Sequence, residues 1–405
     1  MFSCEFYQPR EREGGPFPFR IAMIDSNPKN KYQPLHRGLF LMPLALAIGF
    51  GIGIWVAPNT ADENTRMHVE LGESILQRGR LPVSIQVADG YCWMNDCYLT
   101  QIIMAVIARI GGIQCLAAAS WCILLSVVAL MMHFNRRDNV GWMATVAAAL
   151  LVSAVFVQPW RIGPQVASIA CFAALMALLQ CAFDGWRGNW HWTTPRRWKR
   201  TDWAQGDDAL NCGSLKLRLL WLAAPLFCVW ANMHGAFRVG LVIFWTYLAV
   251  RGLEAVCQRG QAGWGLVRRM VLMGVVAGLA TLVNPYGPWL YGWLSHPGTL
   301  THREILHGSS IAIIGAEGIR PVFLLLIAFV LASHALSNRR CDLAQVAGLA
   351  VAGALTLGDA RNATLFAIAA GFWIGLPLND LWILIQTSIC RAQRKRQQFP
   401  DGVFR

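Results

Sequence analysis

YLTQIIMAVIARIGGIQCLAAASWCILLSVVALMMH, residues 98–133, is the stretch on which the topology of the whole chain turns. It contains two apolar runs separated by Gly111 and Gly112. A bilayer core of ~30 Å needs about 20 mostly apolar residues in a helix. Residues 113–133 meet that length. Residues 98–110 fall short of it, follow an acidic loop and carry Arg109 near their end. The spacing therefore predicts a span over 113–133 and, over 98–110, an interfacial helix lying along the membrane surface. Counting 98–110 as a span would invert every segment that follows.

Working outward, the chain has the composition of a multispanning membrane protein. Of its 405 residues 55% are hydrophobic and only 14% charged, with a mean hydropathy of +0.41. Soluble domains carry about 25% charged residues. Ten candidate spans emerge: 39–57, 113–133, 142–158, 165–183, 216–233, 236–256, 268–284, 319–336, 343–358 and 362–380. Placing both termini in the cytoplasm puts 26 of the 35 Lys and Arg residues in segments 1–38, 134–141, 184–218, 251–269, 337–342 and 387–405. That asymmetry satisfies the positive-inside rule. The expected organisation is a polar cytoplasmic tail (1–38), a polytopic region (39–386) and a basic cytoplasmic tail (387–405). Within the polytopic region lie a first exterior loop (58–112), a basic cytoplasmic loop (184–215) and a second exterior loop (284–318). The predicted fold class is an all-α integral membrane protein of the cell inner (plasma) membrane.

The formal charge of +13 does not signal nucleic-acid binding, because the basic residues recur between apolar runs as topology determinants do. The Trp/Arg mixture of 186–200 suits contact with an anionic leaflet. Most of the twelve cysteines lie in apolar runs, where Cys behaves as a small hydrophobe. No CxxC pair or Cys/His ligand spacing points to zinc. Cys92 and Cys97 lie close enough in the first exterior loop for either a local disulfide or two thiols. No cleavable signal peptide is expected, and Met23 is an alternative start. No internal repeat of the kind that builds transporters is visible.

Polar residues at the mouths of spans are costly and are functional candidates. On the exterior side these are Asp62 and His68, Asp96, Arg161, then Asn232, His234 and Arg238 in WANMHGAFR, Asn284 and Tyr286 in NPYG, and Arg361 in GDARN. Converging loops would make one outward cavity of mixed charge. Helix capping and interfacial anchoring are the alternative roles for each residue, and Asp62 in particular suits a helix N-cap.

The ordered set DENTRMHVELGESILQRGRLP, WMNDCYLTQ, IARIGG, PWRIGPQ, WANMHGAF, VNPYG and DARNATLF, running from about residue 55 to 375, resembles a group of bacterial multispanning proteins. These are similar to the C-type, lipid-dependent glycosyltransferases, among them the protein mannosyltransferases. The resemblance implies a C-type-like fold with a polyprenyl-phosphate sugar donor in the membrane lipid. It also implies an acceptor on the extracytoplasmic side and an acidic general base in the first exterior loop. On that pattern Asp62 is the candidate base and His68 its partner, both catalytic. Arg161, His234, Arg238 and Arg361 would contact the donor phosphate, and Asn232, Asn284, Tyr286 and Asp96 would support them.

The chain departs from the group's pattern at three acidic positions, which here hold Asn64, Ile85 and Cys97. Divalent-metal binding by paired acids is thereby put in doubt, and the cofactor stays open. Two further readings follow: a non-catalytic membrane component of envelope polysaccharide assembly, or a transporter or flippase. The transporter reading would want an ionisable residue at mid-span, and Glu254 lies near a cytoplasmic end.

Overall fold

The computed structural model describes residues 63–81, 85–86, 92–93, 95–157, 162–186, 216–295, 320–337 and 341–398. All of them belong to the larger of two compact units, Leu44–Arg405. The expected first span (39–57), Met23, Asp62 and Arg161 lie outside the described residues, as does the side chain of Cys92.

The described chain is helical apart from one two-residue antiparallel pair, β1 (Ile85–Gln86) with β2 (Cys92–Trp93). The helices are α1 (Glu63–Arg78), α2 (Tyr98–Arg137), α3 (Trp142–Val157), α4 (Gln165–Ala182), α5 (Ala223–Met233) and α6 (Phe237–Arg259). They continue with α7 (Trp264–Ala280), α8 (Trp289–Ser295), α9 (Arg320–Leu336), α10 (Leu343–Gly358), α11 (Ala363–Trp373) and α12 (Gly375–Gln398).

Three stretches are long and apolar enough to cross a membrane: Tyr98–Arg137, Gln165–Ala182 and Phe237–Ala280. A fourth is obtained if the bent pair Ala360–Trp373 and Gly375–Cys390 is one span. Trp142–Phe156, Leu217–Met233, Pro321–Leu336 and Leu343–Gly358 are apolar but shorter.

The first and third of these stretches are not straight rods. In α2, Gly111 and Gly112 leave helical geometry, and Gly112 takes a φ of +67° that only glycine adopts readily. The break separates residues 98–110 from 113–137 where the length argument divides them. The stretch Phe237–Ala280 folds back at the 3-10 turn Gly260–Gly263, since Gly274 of α7 lies against the Trp245 ring of α6.

The apolar run 362–380 is not one straight helix: the chain bends by 65° between α11 and α12. The helix that follows runs to Gln398, through the boundary at 387 where a tail was expected. The run is continuous in composition, but at the bend position 375 lies against the Asn135 side chain, where a Cβ would sit 2.2 Å from Oδ1.

Local chemistry sets the ends of α1. Its buried positions Thr65, His68, Gly72 and Ile75 fall on one helical stripe. Glu63 in the first turn and Arg78 in the last suit the helix dipole. Gly79, with φ +62°, ends the helix by donating its N–H to the Ile75 carbonyl. Similarly, Asp342 caps α10 by accepting from the amides of Ala344 and Gln345.

Side-chain hydrogen bonds between distant segments sort the molecule into two polar ends. At one end Thr65 meets Ile162, Tyr98 meets Asn232, Thr100 meets Met233 and Asn232 meets Val283. At the other, Arg137 pairs with Asp184, Arg251 with Asp342, Gly141 with Asn379 and Ser337 with Asp380. Each set joins segments that the charge count places on a common side. Buried apolar side chains such as Phe172, Met176, Phe227 and Phe244 fill the layer between.

Candidate functional site

The end that holds the motif residues is built around His68, which is fully buried on α1. Its Nδ1 lies 3.0 Å from Gln101 Nε2, and Gln101 Oε1 accepts from Asn95 Nδ2 at 2.5 Å. Asn95 Oδ1 in turn accepts from the backbone N–H of Cys97 at 3.3 Å. That last donor can act only as a donor, so it orients the whole chain. Asn95 must present its NH2 to Gln101, Gln101 its NH2 to His68, and His68 Nδ1 must accept. A neutral His68 therefore carries its proton on Nε2. Close approach makes this possible: a Cβ on Gly72 would sit 2.0 Å from the Gln101 carbonyl oxygen, so α1 can lie this close to α2 only with glycine there.

Beside this relay, Asp96 is buried and accepts from the Cys97 thiol at 3.5 Å. Tyr98 donates to Asn232 Oδ1 at 2.5 Å, and Thr100 donates to the Met233 carbonyl at 2.8 Å. Asn232 also donates to the carbonyls of Cys228 and Val283 at 2.7 and 2.8 Å, tying α5 to the NPYG loop. In that loop Asn284 accepts from the Tyr286 amide and donates to Thr281 and Gly287 carbonyls, forming the turn. Burial holds the Tyr286 phenol above its usual ionisation range. The nearby backbone amide of Asn95 pulls it down, and the charge of Asp96 pushes it further up.

His234 ends α5 in extended geometry. Its Nδ1 accepts from the Ala236 amide at 3.2 Å and lies 2.9 Å from Ser168 Oγ, which accepts from Trp230 Nε1 at 2.8 Å. Arg238 donates to the carbonyls of Gly235 and Leu294. Position 161 directly precedes Ile162, whose carbonyl accepts from Thr65 at 2.6 Å, one turn from His68. Position 62 directly precedes the first residue of α1.

The structure therefore brings His68, Asp96, Asn232 and Tyr286 into one interlocked cluster, with His234, Asn284 and Arg238 on its adjoining turns. Arg361 stands in a local arrangement of its own. Its guanidinium grips Asp359 through Nε at 2.9 and 3.1 Å and Nη2 at 2.8 Å. Among the described residues no group of three His, Cys, Asp or Glu side chains is placed to hold a metal ion.

Sequence reasoning missed the central role of Gln101. The available signal is that Gln101 is the amide side chain in an otherwise apolar run, where an unpaired amide is costly.

It also missed the centre of the opposite end. There Arg251, only 1% exposed, pairs with Glu254 at 2.8 Å and Asp342 at 2.5 Å and donates to the Tyr247 hydroxyl. The rings of Phe183, Trp186 and Tyr247 surround its guanidinium at 5.0 to 5.6 Å. A cavity of about 400 Å³ opens beside it, walled by Phe134, Trp186, Tyr247, Arg251, Asp342 and Trp373. The Arg and Glu of RGLE lie three residues apart, on one helical face, which is the trace such a pair leaves in sequence.

The fold and its two polar ends define an α-helical protein with several apolar helices compatible with membrane insertion. No family model, curated protein or solved structure matches the chain.

Proposed function

We propose that the chain is a ten-span, C-type-like membrane protein of the cell envelope that transfers a sugar from a polyprenyl-phosphate donor to an extracytoplasmic acceptor. The observation that carries this reading is the convergence of the motif segments on one end. The segments 63–78, 95–101, 162–168, 230–238 and 281–287 are knitted together there by side-chain hydrogen bonds. In the proposed step Asp62 takes the proton of the acceptor hydroxyl, whose oxygen bonds to the anomeric carbon. The anomeric C–O bond to phosphate breaks, and polyprenyl phosphate leaves with the electron pair. Cationic groups near positions 161 and 238 would stabilise its charge. The buried relay ending at His68 would hold α1, and with it position 62, in register with those groups.

The test is transfer from radiolabelled polyprenyl-phosphate sugars by the purified protein in nanodiscs, compared with Asp62→Asn. Loss of product with donor binding retained supports Asp62 as the base. An unchanged product yield removes it from catalysis.

A second reading, a non-catalytic component of polysaccharide assembly, is favoured by the way the charges are spent. Arg361 is neutralised by Asp359, Arg238 donates to backbone carbonyls, and Asn64 and Cys97 stand where acids are expected. It predicts binding of polyprenyl phosphate without turnover by the wild-type protein, and any turnover ends it.

A further inference from the structure

His234 follows α5 in extended geometry, with φ −170° and ψ 139°, and donates its N–H to the Trp230 carbonyl at 3.0 Å. The chain then turns so that the Ala236 N–H meets the imidazole Nδ1 at 3.2 Å. A backbone N–H can only donate, so Nδ1 presents its lone pair there. Ser168 Oγ stands 2.9 Å from the same nitrogen. Two lone pairs facing each other at that distance would repel, so the hydroxyl proton lies between the two atoms. Trp230 supports the same direction. Its indole N–H, also a donor only, takes up a lone pair of Ser168 Oγ at 2.8 Å and leaves the hydroxyl proton for His234.

Packing leaves this relay little freedom. Ser168 and Trp230 are both buried. The Trp230 ring stacks on Phe227 with centroids 5.7 Å apart and meets the edge of Phe172 at 6.2 Å. Helix α6 also approaches the ring at Gly240, where a Cβ would sit 2.3 Å from it. A functional side chain keeps its direction when the groups that bond to it are themselves locked by packing.

We infer that Ser168 and Trp230 are positioning residues that fix His234 as the Nε2–H tautomer, making it a hydrogen-bond donor to an acceptor oxygen of the ligand. With Nδ1 spent on Ala236 and Ser168, the other ring nitrogen of the neutral imidazole carries the proton. A ring in that state cannot take the proton of an acceptor hydroxyl, so general-base work falls to a carboxylate. Its N–H suits a phosphate oxygen, which forms a charge-assisted bond. The phosphate as ligand rests on the transfer reading above; the tautomer does not.

The experiment is nitrogen-15 NMR of the full chain, labelled at histidine, in nanodiscs without ligand and well above the ordinary histidine pKa of about 6.5. The signals lost in His234→Gln belong to His234. They should show an unprotonated Nδ1 and a protonated Nε2. Ser168→Ala removes one neutral hydrogen bond and should lower the tautomer ratio by about two- to tenfold. Thr65→Ala removes the hydrogen bond to the Ile162 carbonyl at the same end and should leave these signals in place. A protonated Nδ1, or a ratio that Ser168→Ala does not move, overturns the inference. Binding of radiolabelled undecaprenyl phosphate is the second readout. His234→Gln, whose amide NH2 falls near the Nε2 position, should keep affinity within about threefold. His234→Asn, whose shorter amide replaces only Nδ1, should lose about tenfold or more. Equal affinities for the two variants, or no binding by the wild type, overturn the phosphate assignment. The transfer reading fails separately, through full product yield from Asp62→Asn, which leaves the histidine signals as they are.

Discussion

Replacing Gln101 by leucine isolates the relay that holds α1 against α2. The substitution leaves His68 Nδ1 and Asn95 Nδ2 without the partners found at 3.0 and 2.5 Å. A buried polar group deprived of its hydrogen bond costs about 1–3 kcal/mol, so the two together cost about 2–6 kcal/mol. Added leucine burial returns about 1–2 kcal/mol, leaving a net loss of roughly 0–5 kcal/mol. His68→Phe alone orphans the Gln101 amide and should cost about 1–3 kcal/mol. In the double variant both sides of the His68–Gln101 contact are apolar, and only Asn95 Nδ2 remains unpaired. The double variant should therefore be less destabilised than the sum of the singles, with a coupling of about 1–3 kcal/mol. Unfolding in mixed micelles of increasing dodecyl sulfate, followed by far-ultraviolet circular dichroism, measures all four proteins under one condition. Additivity within about 0.5 kcal/mol would refute the contact, and with it the assignment of Nδ1 as acceptor.

Other expectations follow from packing and charge. Gly72→Ala sets a Cβ 2.0 Å from a backbone oxygen, which no rotamer change relieves. It should destabilise by at least about 1–3 kcal/mol, whereas Gly278→Ala, with nothing within 4 Å, should be neutral or slightly stabilising. Apparent melting temperatures of the two variants in nanodiscs give the comparison. Arg251→Met strands Glu254 and Asp342 in a buried setting and should cost about 3–5 kcal/mol. Arg361→Gln breaks a half-buried local pair and should cost only about 0–1 kcal/mol. Equal melting temperatures for these two variants would contradict the burial difference on which the ranking rests.

The helical breaks show where sequence is a good guide. Gly111 and Gly112 are visible as a double glycine in an apolar run, and the structure turns there because Gly112 adopts a positive φ. Gly79 ends α1 on the same principle. The bend before Gly375 is less plainly written. Pro377 in GFWIGLPL marks the first turn of a new helix, but Gly371 and Gly375 are both packed against side chains of other segments, and that packing is not legible in the sequence. The candidate site divides in the same way. Asn232, His234 and Tyr286 stand out as polar residues beside apolar runs. That Tyr98 of α2 reaches Asn232 of α5 depends on the mutual rotation of two helices separated by more than a hundred residues.

Sequence alone determined that the described residues are largely helical and where their apolar runs lie, and it gave an expected side for each loop. Those are local or additive properties. A run of about 20 apolar residues reads the same whatever surrounds it, and the Lys and Arg count of a loop needs no partner. Tertiary structure decided that residues 98–110 form a hydrogen-bonded partner for α1 as well as a short apolar helix. It also decided that Arg251 joins Glu254 and Asp342 in the interior and that α12 is turned 65° from α11. Each of these results requires two distant segments to meet in one orientation, because a buried polar group must find its partner wherever packing places it.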